Sequence, residues 1–265
     1  MSDQAASTDD LFDIVGKNAL VTGGGRGIGL MIARGLVRAG VRVTIASRKT
    51  ADLEEAAAEL RRDGECEAIT ADLSTPEGAR ELAEQVTSRV DALHILVNNS
   101  GATWGAPLEE FPASGWDRVL HTNLDGIFHL TVGLLPALRA AADADDPARV
   151  INIGSIDGIR VPFVENYSYS ASKAAVHMLT RHLAKRLASE HITVNAIAPG
   201  PFQSKMMAFL LDAPESRAEL ERQVPLGRIG RPDDVAGLTV FLASRAGSYL
   251  TGAVIPLDGG ITGCD

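Results

Sequence analysis

Short apolar runs rich in Val and Ile alternate along the chain with stretches whose apolar positions recur at helical spacing. Seven runs stand out: NALVTG, VRVTIAS, CEAIT, LHILVNN, ARVINIGS, ITVNAIAPG and TGAVIPLDGG. A strand buried on both faces stays apolar at consecutive positions, and connections long enough for a helix let such strands run parallel. The pattern predicts an α/β fold with a doubly wound, mostly parallel seven-stranded sheet covered by helices on both sides. Residues 14–265 read as one domain, preceded by a flexible tail over 1–13. Punctuation supports the helices: Ser47 and Asp52 precede or open ADLEEAAAELRR, Gly64 follows it, and Ser74, Thr75 and Pro76 open the next.

Two regions depart from the pattern. The turn DADDPA (143–148) is charged, and solvation accounts for it. Residues of about 200–228, PFQSKMMAFLLDAPESRAELERQVPLGR among them, form an insertion long for an α/β connection, and insertions of this size serve as active-site lids.

Composition narrows the function. The chain is 45% hydrophobic and 22% charged, and no uninterrupted apolar run reaches the roughly 18 residues of a membrane span. MSDQAASTDD has no apolar core of a signal peptide, so a soluble cytoplasmic protein with no membrane partner is expected. A formal net charge of −9 argues against nucleic acid. Cys66 and Cys264 have no metal-ligand spacing and the six histidines no HExxH cluster, so neither a metal site nor a disulfide framework is expected.

The first strand runs into Thr22-Gly23-Gly24-Gly25-Arg26-Gly27-Ile28-Gly29 and then a helical pattern. Glycines allow backbone N–H groups to approach a phosphate, and a helix N-terminus adds partial positive charge. The spacing is GxxxGxG through Gly23, Gly27 and Gly29, without the Lys-Ser/Thr ending of a P-loop. A tight strand-to-helix connection is the plainer alternative; position after the first strand of a parallel sheet favours a dinucleotide cradle. The second strand ends in Ser47-Arg48-Lys49 where an NAD site places an acid. Arginine grips a 2′-phosphate that an acid would repel, and Arg26 adds charge, so NADP(H) is expected over NAD(H) unless Arg48 and Lys49 are merely solvated cap charges.

NYSYSASKAA (166–175) holds two tyrosines and one lysine. On a helix, Tyr169 and Lys173 lie four apart on one face, whereas Tyr167 and Lys173 lie six apart on different faces. Tyr169 is thus the candidate acid, with a pKa lowered by the lysine from its usual value of about 10. Tyr167 is expected to pack or to line the substrate side.

TGGGRGIG, NNSG, Ser155, YSASK and IAPG, in this order and spacing, resemble the short-chain dehydrogenase/reductase family over nearly the whole chain. The resemblance implies a Rossmann-type fold, with Tyr169 as acid/base, Lys173 as its partner and a holder of the nicotinamide ribose, and Ser155 on the substrate oxygen. It makes Asn123 the asparagine that helps hold a relay water. Cofactor contacts are implied at Gly23, Gly25, Arg26, Gly27, Ile28, Gly29, Ser47 and Arg48. They continue through Asp72 and Leu73 at the adenine, Asn99, Ser100 and Gly101 beside its ribose, and Pro199, Gly200, Phe202 and Ser204 towards the nicotinamide. The departures from the family pattern are Ser100 for alanine, Phe202 for Ile or Val, and Gly154 for serine. The expected activity is NADPH-dependent reduction of a small-molecule ketone, and WGAPLEEFPASGW, ARVINIGS and EHITVNAIAPGPFQSKM resemble reductases of 3-oxoacyl substrates. Met206, Met207, Phe209, Leu210 and Leu211 in the insertion, with Trp104 and Phe163, would form an apolar wall. Rivals are a dehydrogenase of sugar acids or polyols and a non-catalytic dinucleotide sensor. A serine hydrolase fits poorly, since GxSxG is missing around Ser155. The resemblance also implies a homotetramer, with a dimer as the second choice.

Overall fold

A computed structural model describes residues 7–203 and 214–264. Its strands are β1 (Asn18–Thr22), β2 (Arg42–Ser47), β3 (Cys66–Thr70), β4 (Ile95–Asn98), β5 (Ala148–Ile153), β6 (Ile192–Pro199) and β7 (Val254–Leu257). They pair in parallel in the order β3-β2-β1-β4-β5-β6-β7. Each lies within one of the seven apolar runs. Side chains alternate between two buried faces: Val21, Val97, Ile151 and Ile197 enter one layer, Leu20, Leu96, Val150 and Val194 the other.

The helices are α1 (Thr8–Phe12), α2 (Gly27–Arg38), α3 (Thr50–Leu60), α4 (Pro76–Thr87), α5 (Ala113–Leu120), α6 (Gly126–Ala141), α7 (Tyr167–Leu187), α8 (Pro214–Arg222) and α9 (Pro232–Ala243). α2 and α9 cover one layer and approach so closely that a Cβ at Gly35 would lie 2.5 Å from Ala236 Cβ. α4 and α6 cover the other. Thr75 caps α4 as its sequence predicts, its hydroxyl accepting from Gly78 N at 3.1 Å with Pro76 in the first turn. At α3, however, Lys49 occupies the cap with no side-chain capping bond.

Three expectations change. Residues 8–12 of the anticipated tail are helical, closed by a Ser7–Asp10 capping box, and the Phe12 ring lies 6.5 Å from that of Phe241. The turn at 143–148 is not simply solvated: Asp146 pairs with Lys17 at 2.7 Å and with Arg149 at 2.8 Å beneath the sheet. Finally, α5 and α6 join through a π-helical turn, His121–Asp125. Together Ala113–Ala141 form a helix long and apolar enough to cross a membrane, with mean hydropathy 1.2 in its most apolar window. Interruption by polar residues hides this in a search for unbroken apolar runs. Leu130, Leu134 and Leu138 bury one side of it, while Phe128 and Val132 remain exposed on the other. Of the anticipated lid, residues 214–222 form α8 and 204–213 lie outside the described residues.

Candidate active site

β1 and β4 are neighbours whose connections leave in opposite directions, which opens a crevice at their carboxyl ends. A continuous cleft of about 1100 Å³ lies there.

At one end the chain turns from β1 into α2 through the glycine loop. Gly23 and Gly27 have φ of +66° and +55°, which other residues rarely adopt. A Cβ at Gly29 would lie 2.4 Å from Gly23 O, so the loop folds tightly on itself. Asn99 clamps it: the side-chain amide donates to Thr22 O at 2.9 Å and to Gly23 O at 3.3 Å. Thr22 Oγ1 in turn accepts from Asn99 N and Ser100 N at 2.9 and 3.0 Å. The Asn99 side chain is thus occupied in holding the loop.

Gly25, Arg26, Gly27 and Ile28 line the cleft beside Ser47 and Arg48 at the end of β2. The first turn of α2 has no acidic residue. The loop has the shape and backbone donors that would hold a dinucleotide pyrophosphate, and the cations at its rim suit an additional phosphate. Asp52, expected only as a helix-opening residue, also lines the cleft from the first turn of α3, with Lys49 Nζ 3.9 Å away. Asp72, Leu73, Ser100, Gly101, Pro199, Gly200 and Phe202 continue the wall. Phe202 is itself buried, its ring where a Cβ at Gly230 would fall. Gly29 and Asn123 stand behind the lining, and Ser204 lies outside the described residues.

At the other end Ser155, Tyr169 and Lys173 line one wall. Ser155 follows β5 and caps a short 3-10 turn, Ile156–Gly158, its Oγ accepting from Asp157 N at 3.1 Å. Tyr169 and Lys173 share one face of α7, with the ammonium 5.5 Å from the phenol ring centre. Lys173 Nζ donates to Ile153 O at 2.8 Å, bringing α7 onto the end of β5. Deeper, Asn98 Nδ2 donates to Asn152 and Thr131, and Asn152 Nδ2 to Thr180, tying β4, β5, α6 and α7 together. These partners lie too far apart in sequence for spacing to reveal.

The helical-face argument separates the tyrosines as expected. Tyr167 is exposed, donates to Glu165 at 2.8 Å and packs edge-on against Phe111. The expected lowering of the Tyr169 pKa, by contrast, is not what the site produces alone. Burial pushes it up to about 12, with the Ser155 hydroxyl acting in the opposite sense and Asp157 adding to the rise. Burial also lowers Lys173 to about 8. So raised, the phenol keeps its proton at neutral pH and is a weaker acid than an ordinary tyrosine.

Asn123 lies in the π-turn, where both amide hydrogens are used, towards Ala102 O at 3.0 Å and Ser172 Oγ at 2.9 Å. Its Oδ1 accepts from Ala102 N at 2.7 Å, leaving one lone pair for a water. Trp104 packs at Gly115 of α5, outside the cleft lining, whereas Phe163 lines the mouth and is 83% exposed. The apolar segment 205–211 falls outside the described residues. Unanticipated polar groups stand here too: Asp157, bonded by Asn166 at 3.2 Å, and Arg160, stacked on Phe163.

A family model described as enoyl-(acyl carrier protein) reductase matches residues 23–262. The chain is 49% identical to the rhamnolipids biosynthesis 3-oxoacyl-[acyl-carrier-protein] reductase of Pseudomonas aeruginosa, over 94% of this chain and 97% of that protein. It is 36% identical to the 2-dehydro-3-deoxy-D-gluconate 5-dehydrogenase of Bacillus subtilis, over 95% and 96%. The solved Pseudomonas aeruginosa RhlG/NADP active-site complex superposes with a TM-score of 0.93 at 48% identity, covering 96% of this chain and 99% of that one. Together with the glycine loop, Ser155 and the Tyr169–Lys173 pair, these matches place the chain in the short-chain dehydrogenase/reductase family.

Proposed function

We propose that this protein is an NADPH-dependent reductase converting a ketone to a secondary alcohol, with a 3-oxoacyl thioester or related hydrophobic ketone as substrate. One observation carries the reading: Ser155, Tyr169 and Lys173 converge at one end of a cleft whose other end is a glycine cradle rimmed by Arg26, Ser47 and Arg48. NADPH, when bound, supplies the hydride that adds to the carbonyl carbon. Ser155 donates a hydrogen bond to the oxygen as negative charge develops there, and the Tyr169 hydroxyl gives it a proton. Lys173 lies close enough to favour the tyrosinate left behind, and Asn123 holds α7 and the 102 loop in register. The acyl assignment rests on similarity to the Pseudomonas reductase and on the exposed apolar residues Phe163 and Val164 at the mouth.

A second reading, a dehydrogenase of sugar acids, draws on the polar group Asp157, Arg160 and Asn166 beside Ser155 and on the gluconate-type relative. Turnover of acetoacetyl and longer 3-oxoacyl thioesters, compared with sugar ketones and with both cofactors, decides between them. Rates that rise with acyl length and favour NADPH support the first reading; faster sugar turnover with no gain from chain length overturns it. No turnover with cofactor binding intact favours a sensor. The same reading includes a soluble cytoplasmic homotetramer, for which Trp116, Phe128, Val132 and Met178 supply exposed apolar contacts on α5, α6 and α7. Light scattering showing a monomer at micromolar protein rejects the assembly.

A further inference from the structure

One turn beyond Lys173 on the same face of α7, His177 is 5% exposed. Its ring sits behind the turn that carries Ser155. A Cβ at Gly154 would lie 2.2 Å from Nε2 and 2.7 Å from Cδ2, and one at Gly158 would lie 2.8 Å from Cε1. Neither glycine has positive φ, so lack of room and not backbone conformation excludes a side chain; at Gly158 the α7 backbone, Lys173 C and Ala174 N at 2.7 Å, excludes it as well as the ring. Gly154, one of the departures from the family pattern, is therefore required by space. The position directly before Ser155 has given up its side chain, and an imidazole from α7 fills the volume.

Charge fits this arrangement. Burial lowers His177 to about 4, with Lys173 adding to the fall and the Gly158 backbone opposing it. A neutral ring adds no second positive charge next to the ammonium of Lys173. Other charges around the ring are Arg181, one turn further on α7, and Asp157 on the Ser155 turn.

We infer that His177 is a positioning residue: its ring, seated between Gly154 and Gly158, fixes the turn that aims the Ser155 hydroxyl at the substrate oxygen. The inference rests on reading Ser155 as the hydroxyl that holds that oxygen. His177 lines no part of the cleft, so it acts indirectly, through the 154–158 turn that its ring packs behind.

The test is a cycle of His177→Ala, Gly154→Ala and the double variant, with kcat, both KM values and Tm measured for each. His177→Ala opens space behind Ser155 and is expected to lower kcat about tenfold, since small misplacements of reacting groups are costly, while KM for NADPH changes less than about twofold. Gly154→Ala forces the ring away and should lower kcat at least as much. In the double variant the new methyl enters vacated space, so its kcat should equal or exceed that of either single variant. His177→Gln, which keeps a neutral polar group of similar reach, should recover most of the rate. Additive losses in the cycle, or unchanged kcat in His177→Ala, overturn the inference. The second criterion still applies if Gly154→Ala does not fold. Ser155→Ala separates the two levels: retained turnover there sinks the reductase reading, whereas loss there with an additive cycle sinks only the role of His177.

Discussion

Among the described residues two lysines are almost completely buried, and their surroundings differ. Lys17, beneath the amino ends of the strands, is 9% exposed and pairs with Asp146, which also pairs with Arg149, itself 1% exposed. Lys173, at the carboxyl ends, is 4% exposed and has no carboxylate partner among the described residues, only the Ile153 carbonyl. Burial lowers Lys17 while Asp146 pulls it back; burial raises Asp146, but Lys17 and Arg149 prevail and hold it below the usual carboxylate range. One carboxylate shared by two cations explains why the acid is satisfied and the lysine still pays part of its desolvation. A paired buried charge organises structure. An unpaired one facing a cleft is a cost that the fold carries for chemistry.

The sharpest way to break this comparison is Lys173→Met. If the lysine stabilises the tyrosinate formed at Tyr169, turnover should fall about 10³-fold, within the range for lost acid–base assistance. Stability should move the other way. A lysine lowered to about 8 from 10.5 costs the folded state about 3 kcal/mol at pH 7, and a well-packed methionine removes that cost. Kinetics with a ketone substrate and thermal unfolding of the protein without cofactor check both halves. A variant that lost activity and stability together would show Lys173 to be structural.

Asp146→Ala is the counterpart beneath the sheet. It leaves Arg149 buried without its carboxylate, which should destabilise the fold by about 2–3 kcal/mol, less than for a fully buried pair because the Asp146 side chain is 34% exposed. Since the cluster lies at the opposite ends of the strands, kcat/KM at 25 °C should stay within about twofold, in line with the near-independence of distant sites. Denaturant unfolding and steady-state kinetics make the measurement. A kinetic loss exceeding the stability loss would mean that the two ends of the sheet are coupled.

The two clusters were not equally legible in the sequence. Tyr169 and Lys173 sit four apart on one helix, and the glycine loop is contiguous, so local geometry alone exposes both. Asp146 lies 129 residues from Lys17, and nothing local distinguishes it from the solvated acids around it. The same limit hides the Asn98–Asn152–Thr180 bonds, the Asn123 contact with Ser172 and the seat of His177, all of which pair residues from different elements. The π-turn at Asn123 is invisible for another reason: HTNLD carries a single apolar residue, and nothing in it separates a widened helical turn from an ordinary one. The seven strands were readable because burial on both faces writes itself into consecutive residues.

Arg48 extends the comparison to an exposed cation. It lines the cleft with no ion pair among the described residues, poised at the end of β2 where an additional phosphate would be held. Arg48→Asp should lower kcat/KM with NADPH about tenfold or more, the scale of one charge-assisted contact, and should narrow or reverse the preference over NADH. An unchanged ratio of the two specificity constants would assign the phosphate to other groups and leave Arg48 a solvated charge.

The smallest effect is the most direct test of an unpaired lysine. In the proposed mechanism reduction requires a protonated Tyr169 and a charged Lys173. Tyr169, raised to about 12, keeps its proton throughout the working range, so the alkaline limb belongs to Lys173 at about 8. kcat/KM for reduction, which reports the free enzyme, should be level between about pH 6 and 7, halved near 8 and about tenfold down at 9. Stability should follow the same titration with opposite sign. The unfolded chain binds the proton more tightly, so ΔG of unfolding should rise between about pH 8 and 10.5 by an amount missing in Lys173→Met. Lys17, held by Asp146, gives no reason for a kinetic limb. An alkaline limb near 10 in the rate, with no difference between the two proteins in unfolding, would mean that Lys173 titrates like an ordinary surface lysine and that the contrast with Lys17 is only one of position.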